Sequence, residues 1–157
     1  MRVLAPLTLL AGALTVVAVV QGPSNRTQDP WTWGPAPAVF PAGARMAVLQ
    51  GDPSQAAPFT VRLEMPDGYR IAPHFHPTDE NITVIEGTFL VGMGDKLDPA
   101  QAMVLPRGGF ATAQANMHHY AIARGRTVVQ VHAIGPFQLT YVNAADDPQN
   151  GRTAGRR

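Results

Sequence analysis

Gly68-Tyr69-Arg70-Ile71-Ala72-Pro73-His74-Phe75-His76-Pro77-Thr78-Asp79-Glu80, continuing through Asn81-Ile82-Thr83-Val84-Ile85-Glu86 to Gly87, sets two histidines, a carboxylate and two glycines at fixed intervals. Five residues separate Gly68 from His74 and one separates His74 from His76; three precede Glu80 and six more precede Gly87. A strand points alternate side chains to one face, so His74 and His76 project together, and Glu80 returns from the next turn. Two imidazoles and a carboxylate from one segment make an incomplete ligand set for a divalent first-row metal, and a fourth ligand has to come from elsewhere. Gly68 reads as the turn into the ligand strand and Gly87 as a hairpin residue. Asp79 alternates to the other side and reads as a solvated or turn-capping carboxylate.

Around this segment the chain reads as short strands punctuated by turns. Arg45–Gln50 ends at Gly51-Asp52-Pro53, and Phe59–Met65 alternates before Pro66-Asp67-Gly68. Asn81–Ile85 and Thr88–Gly92 flank Glu86-Gly87, the pattern of a tight hairpin. Met103–Leu105, Phe110–Ala113, His119–Ala123, Thr127–Ile134 and Phe137–Val142 follow, the last three separated by Arg124-Gly125-Arg126 and Gly135-Pro136. Only Pro99–Met103 has room for a helical turn. Short strands at this spacing predict an all-β sandwich or barrel.

The intervals from Gly68 to Gly87 resemble the first signature motif of the cupin superfamily, with every defining position matched. The resemblance implies a cupin-type double-stranded β-helix, a jelly-roll barrel. The family's second motif runs Gly, five residues, Pro-x-Gly, two residues, His, three residues, Asn. Counted from Gly108, Gln114 stands at the proline, Asn116 at the glycine, His119 at the histidine and Ala123 at the asparagine. Asn116 is a mild departure, because asparagine tolerates the left-handed conformation such turns need. The resemblance thus gives His74, His76, Glu80 and His119 as ligands of one divalent ion per chain, with Fe, Mn, Ni and Zn all chemically suited. His118 competes with His119, since a one-residue slip turns a side chain to the other face; spacing favours His119. His132 has two readings: a cavity-lining acid–base or outer-sphere group, or a histidine hydrogen-bonded in the barrel wall. Tyr69, Tyr120 and Tyr141 read as wall residues. The wider layout is similar to small secreted bacterial cupins of unassigned function and to the zinc-binding cupin half of certain anti-sigma factors.

The chain has 157 residues, a formal net charge of +1, no cysteine and a single lysine, Lys96. No nucleic-acid footprint is visible in such a balance. Disulfides, thiolate metal sites and cysteine nucleophiles are excluded. The organisation expected is a signal peptide or N-terminal anchor over 1–22, a Pro-rich arm over 23–43, one cupin barrel over 44–145 and a flexible tail over 146–157. Met1-Arg2 followed by the apolar run Val3 to Val20 reads as a secretory signal, with Val16-Val17-Ala18 near a cleavage point. The alternative is an uncleaved anchor, the sole membrane contact foreseen, through residues 3–20. Export to the periplasm or medium with cleavage is the expectation, and the first residue of the mature chain distinguishes the two. Trp31 and Trp33 in the arm are expected to pack on the barrel wall.

Function follows from the metal. Open coordination positions on iron, manganese or nickel suit a dioxygenase acting on a small organic substrate, the first reading on the family's pattern. A non-catalytic zinc-binding module for ligand binding or sensing is the alternative, as is a metal-dependent isomerase or lyase, which needs a separate acid or base such as His132 or His118. The partner expected is a small-molecule ligand, with pairing of two barrels into a homodimer through such arms also foreseen.

Overall fold

The computed structural model describes residues 30–150, so the expectations for residues 1–22 lie outside the described residues. The strands are β1 (Gly34–Pro35), β2 (Arg45–Gln50), β3 (Pro58–Met65), β4 (Arg70–Phe75), β5 (Glu80–Met93), β6 (Met103–Pro106), β7 (Phe110–Ala113), β8 (His119–Ile134) and β9 (Thr140–Tyr141). All pairings among them are antiparallel. The segment Pro99–Met103 makes a turn, with the Gln101 N–H donating to Asp98 O at 3.1 Å, and no helix.

Two long strands organise the barrel. β8 pairs with β5 along nearly its whole length. Its other edge is shared, β3 taking Thr127–Ile134 and β4 taking the portion from His119 to Ile122. β5 repeats the arrangement, giving its first residues to β7 and Thr88–Val91 to β6. Each long strand therefore passes from one sheet to the other, which is how a jelly roll turns its corners. The passage occurs where the sequence predicted turns. Glu86-Gly87 is not a hairpin but a bulge inside β5, and Arg124-Gly125-Arg126 is a bend inside β8. Gly87 (φ 78°) and Gly125 (φ 69°) take the left-handed backbone there. Glycine supplies the same conformation to a turn and to a bulge, so local chemistry does not separate the two.

The inner faces are apolar. On β3 the alternating Phe59, Val61, Leu63 and Met65 are all buried, as are Val129, Val131 and Ala133 facing them from β8. Each of these side chains larger than alanine contributes about 1.5–3 kcal/mol by leaving water. The Pro-rich arm closes one end. Its Phe40 is buried, the Tyr69 hydroxyl donates to Pro41 O at 2.5 Å, and the Tyr141 hydroxyl donates to Val39 O at 2.8 Å. The tyrosines are thus wall residues that also clamp the arm. Trp33 lies over the Arg45 guanidinium at 5.7 Å and Trp31 over that of Arg62 at 5.8 Å, so both tryptophans pack on the outside of β2 and β3. At the other terminus, Ala144–Asp146 forms a 3-10 turn capped by Asn143, and Asn150 donates its side-chain amide to Ala144 O.

A Cβ added at Gly87 would lie 2.4 Å from Arg126 O, whereas one at Gly68, with a similar φ of 73°, meets nothing within 4 Å. Gly87→Ala is therefore expected to cost roughly 2–4 kcal/mol, combining left-handed backbone with overlap across the bulge. Gly68→Ala should cost only about 1–2 kcal/mol. Urea unfolding of both variants checks this, and equal losses would show that close packing at the β5–β8 bulge is not the constraint.

Candidate metal centre

β4 delivers the first two histidines. A register shift between Ile71 and His74 lifts the strand at Pro73, which has no N–H to give to the ladder. His74 then pairs with His119 on β8 and Tyr141 on β9. His76 lies just past the strand end, and Glu80 is the first residue of β5. The three histidines are almost completely buried, at 3%, 5% and 2% exposure for His74, His76 and His119. Their rings sit 4.2–5.2 Å apart between centroids, and one ligand atom from each falls within 4.8 Å of the others.

Each imidazole is anchored through the same nitrogen. Nδ1 of His74 faces Ala72 O at 2.7 Å, that of His76 faces Gln138 O at 2.6 Å, and that of His119 faces Met117 O at 3.0 Å. A carbonyl can only accept, so each Nδ1 carries the hydrogen and each Nε2 carries a lone pair. Nε2 of His76 and of His119 is buried without a hydrogen-bond partner. An orphaned buried acceptor costs about 1–3 kcal/mol unless something satisfies it. Glu80 Oε2 stands 3.5 Å from His76 Nε2 and 3.6 Å from His119 Nε2, too far for a good hydrogen bond. Two donors about 2.1 Å from a common tetrahedral ion lie about 3.4 Å apart, so the spacing suits coordination better than direct contact. The three imidazoles and their orphaned lone pairs fit a divalent metal, while the Glu80 carboxylate stands beside His76 and His119 but outside the group of ligand atoms that all lie within 4.8 Å of one another.

The charge states agree. Burial, then the neighbouring His119 and His76, push His74 down to about 3, which leaves its imidazole neutral at any physiological pH. Burial works to raise the Glu80 carboxyl, but His119, His76 and His74 outweigh it and hold the group below its ordinary value. A neutral His74 imidazole and an ionised Glu80 carboxylate are the protonation states that metal binding requires of those two groups.

The loop that brings His119 into register lacks the proline and glycine of the second motif, and other bonds supply its shape. Asn116 adopts φ 62° and donates its backbone N–H to His76 O at 2.8 Å. The Ala115 N–H donates to Asp79 Oδ1 at 2.8 Å, which makes Asp79 the capping carboxylate expected of it. At the asparagine position, Ala123 is held by backbone bonds alone, exchanging them with Gly68 and Tyr69.

His118 points away from the cluster, hydrogen-bonded to Asp95 at 2.5 Å and stacked on Phe75, so the register favours His119. His132 does not line the cavity. Val131 and Ala133 take the inner face of β8, so strict alternation turns His132 outward, where its Nδ1 meets Thr60 Oγ1 at 2.9 Å. Of its two readings, the hydrogen-bonded wall residue is the one that matches. Phe137, whose ring centroid lies 5.5 Å from that of His76, and the Gln138 carbonyl belong to the site but were not foreseen. A carbonyl is common to every residue and leaves no trace in sequence.

Above the cluster a cavity of about 60 Å³ is walled by apolar side chains, among them Phe40, Phe59, Leu63, Ile82, Phe89 and Val131. The polar side chains that line it are His74, His76, Glu80 and His119.

His74→Ala and His119→Ala should each lower metal affinity more than tenfold, given that even supporting contacts to ligands are worth about 10–100-fold. His118→Ala and His132→Ala should keep the parent's metal content. Elemental analysis after dialysis checks all four, and loss of metal in His118→Ala but not in His119→Ala would overturn the register.

Comparison with known proteins places the chain. The family model described as a domain of unknown function, DUF4437, matches residues 26–151. No curated protein matches the sequence. Among solved structures, a protein from Methylibium petroleiphilum PM1, provisionally named an acetylacetone dioxygenase, is 19% identical with a TM-score of 0.59, and the match covers 95% of this chain and 100% of that one. The polyketide cyclase RemF from Streptomyces resistomycificus is 18% identical with a TM-score of 0.58, covering 77% of this chain and 87% of that one. An RmlC-like cupin from Shewanella frigidimarina NCIMB 400 is 16% identical with a TM-score of 0.50, covering 60% of this chain and 80% of that one. At these identities the likeness is one of fold, the jelly-roll barrel built here on β5 and β8. The chain has a cupin-type fold, and it belongs to the DUF4437 family.

Proposed function

We propose that this cupin is a metal-dependent oxidoreductase of the dioxygenase type, acting on a small, largely apolar molecule that carries an oxygen donor. The observation that carries this reading is the composition of the cavity: every polar side chain lining it belongs to the candidate ligand set. When bound, a divalent first-row ion supplies Lewis acidity and, for iron, manganese or nickel, electron transfer. His74, His76 and His119 would hold it through Nε2, with Glu80 as the fourth ligand. The carbonyls of Ala72, Gln138 and Met117 fix the ring orientations. The apolar wall orients the rest of the substrate and keeps bulk water from the reacting end.

The isomerase or lyase reading stays as the alternative, in keeping with the name of the polyketide cyclase RemF. Such an enzyme needs a separate acid or base beside the substrate, and the two candidates, His118 and His132, stand outside the cavity. A dioxygenase asks less of the protein, namely open metal positions and an apolar pocket. The provisional name of the Methylibium structure is in keeping with that class. A cavity of about 60 Å³ favours a ligand of few heavy atoms, since about 150 Å³ is what admits benzene elsewhere.

Oxygen consumption tests the proposal. Protein loaded anaerobically with ferrous, manganous or nickel ion is supplied with short 1,3-dicarbonyl compounds and other compact oxygen chelators. At least one should be consumed together with dioxygen in fixed ratio, and His119→Ala should abolish the uptake. Tight ligand binding with no oxygen consumption under any metal would favour the non-catalytic binding module.

A further inference from the structure

Three spaces in this barrel meet at one side chain. The first is the apolar cavity above the histidines. The second is an open groove on the outside, bordered by Val39, Ser54 and Thr140. The third is a void of about 10 Å³ beside Thr78, Glu80 and Gln138, the size of a single water. Phe137 lines all three, and among the described residues no other does.

The groove and the cavity share a rim made of Pro37, Pro53, Phe137 and Leu139. The two prolines have φ fixed by their rings and short side chains, so they present a rim of constant shape. Phe137 is the largest side chain of the four and is half-buried, between the groove and the cavity. Its ring stacks on Phe40 at 5.8 Å, meets Phe59 edge-on at 6.3 Å and faces the His76 imidazole at 5.5 Å. Its backbone is tied at the same place: the Phe137 N–H donates to Pro53 O at 2.6 Å, and the next carbonyl, Gln138 O, accepts from His76. One short segment thus shapes the entrance and orients a metal-facing histidine.

We propose that Phe137 is the specificity-determining residue of the cavity, its ring closing the passage from the outer groove to the histidine cluster against all but slender ligands. The proposal rests on the metal-site reading above.

Cobalt-loaded full-length protein separates the two claims. Its visible absorption band reports any oxygen chelator that reaches the metal. Acetohydroxamate and benzohydroxamate serve as probes, since they present the same donor atoms on a methyl and a phenyl body. In the parent protein acetohydroxamate should shift the band at least tenfold more tightly than benzohydroxamate. Phe137→Ala should bring the two within about threefold while cobalt content stays at the parent value, and Phe137→Trp should weaken both. An unchanged affinity ratio in Phe137→Ala, with cobalt bound and acetohydroxamate still active, overturns the role of Phe137 alone. Failure to bind cobalt, or a band that neither probe moves in any variant, overturns the metal-site reading and this inference with it.

Discussion

Three buried imidazoles each give the Nδ1 hydrogen to a backbone carbonyl, and that bond fixes which nitrogen looks into the barrel. The consequence is expensive for the bare protein. Nitrogen lone pairs are held out of water with no hydrogen to meet them, at about 1–3 kcal/mol each. The surrounding apolar wall offers no relief. A cation bound among the three rings would satisfy the lone pairs, and its binding would then contribute to folding stability. The three carbonyls come from the lifted end of β4, the loop before β8 and the segment after β8. The cluster therefore depends on the barrel closing correctly at three places.

Closure in turn depends on two long strands that change sheets at glycine bulges. Gly87 and Gly125 let β5 and β8 bend without breaking, and their outer edges then receive two short strands apiece. In the ladder Glu80 opposes Ala133 and His119 opposes Met93, yet closure of the barrel brings the Glu80 carboxylate to 3.6 Å from His119 Nε2. The carboxylate and the third imidazole meet through topology, whereas His74 and His76 meet through strand alternation alone.

That difference explains what could be read from the sequence. Strand alternation made His74 and His76 legible as a pair, and the second motif's spacing singled out His119. Asn116 was legible as a left-handed turn residue, and Asp79 as a cap, because both properties are local. The bulges were read as turns, since a glycine with positive φ serves either purpose and only long-range pairing decides. His132 could not be assigned a face, because the phase of β8 is set by its partners β3 and β5. Phe137 was legible only as part of a Gly-Pro-Phe layout, and its place beside His76 comes from the chain's return across the barrel mouth.

The proposed function leans on the cavity chemistry more than on the ligand set. With His118 and His132 outside, the described residues that line the cavity offer a bound molecule a shaped apolar wall and the candidate ligand set. The most direct test is anomalous diffraction at the metal absorption edge, on crystals of protein purified from its native compartment. The account predicts one strong peak bounded by Nε2 of His74, His76 and His119 and by the Glu80 carboxylate. A peak at the His118–Asp95 pair, or none among the three imidazoles in protein supplied with iron, manganese, nickel and zinc, would contradict it.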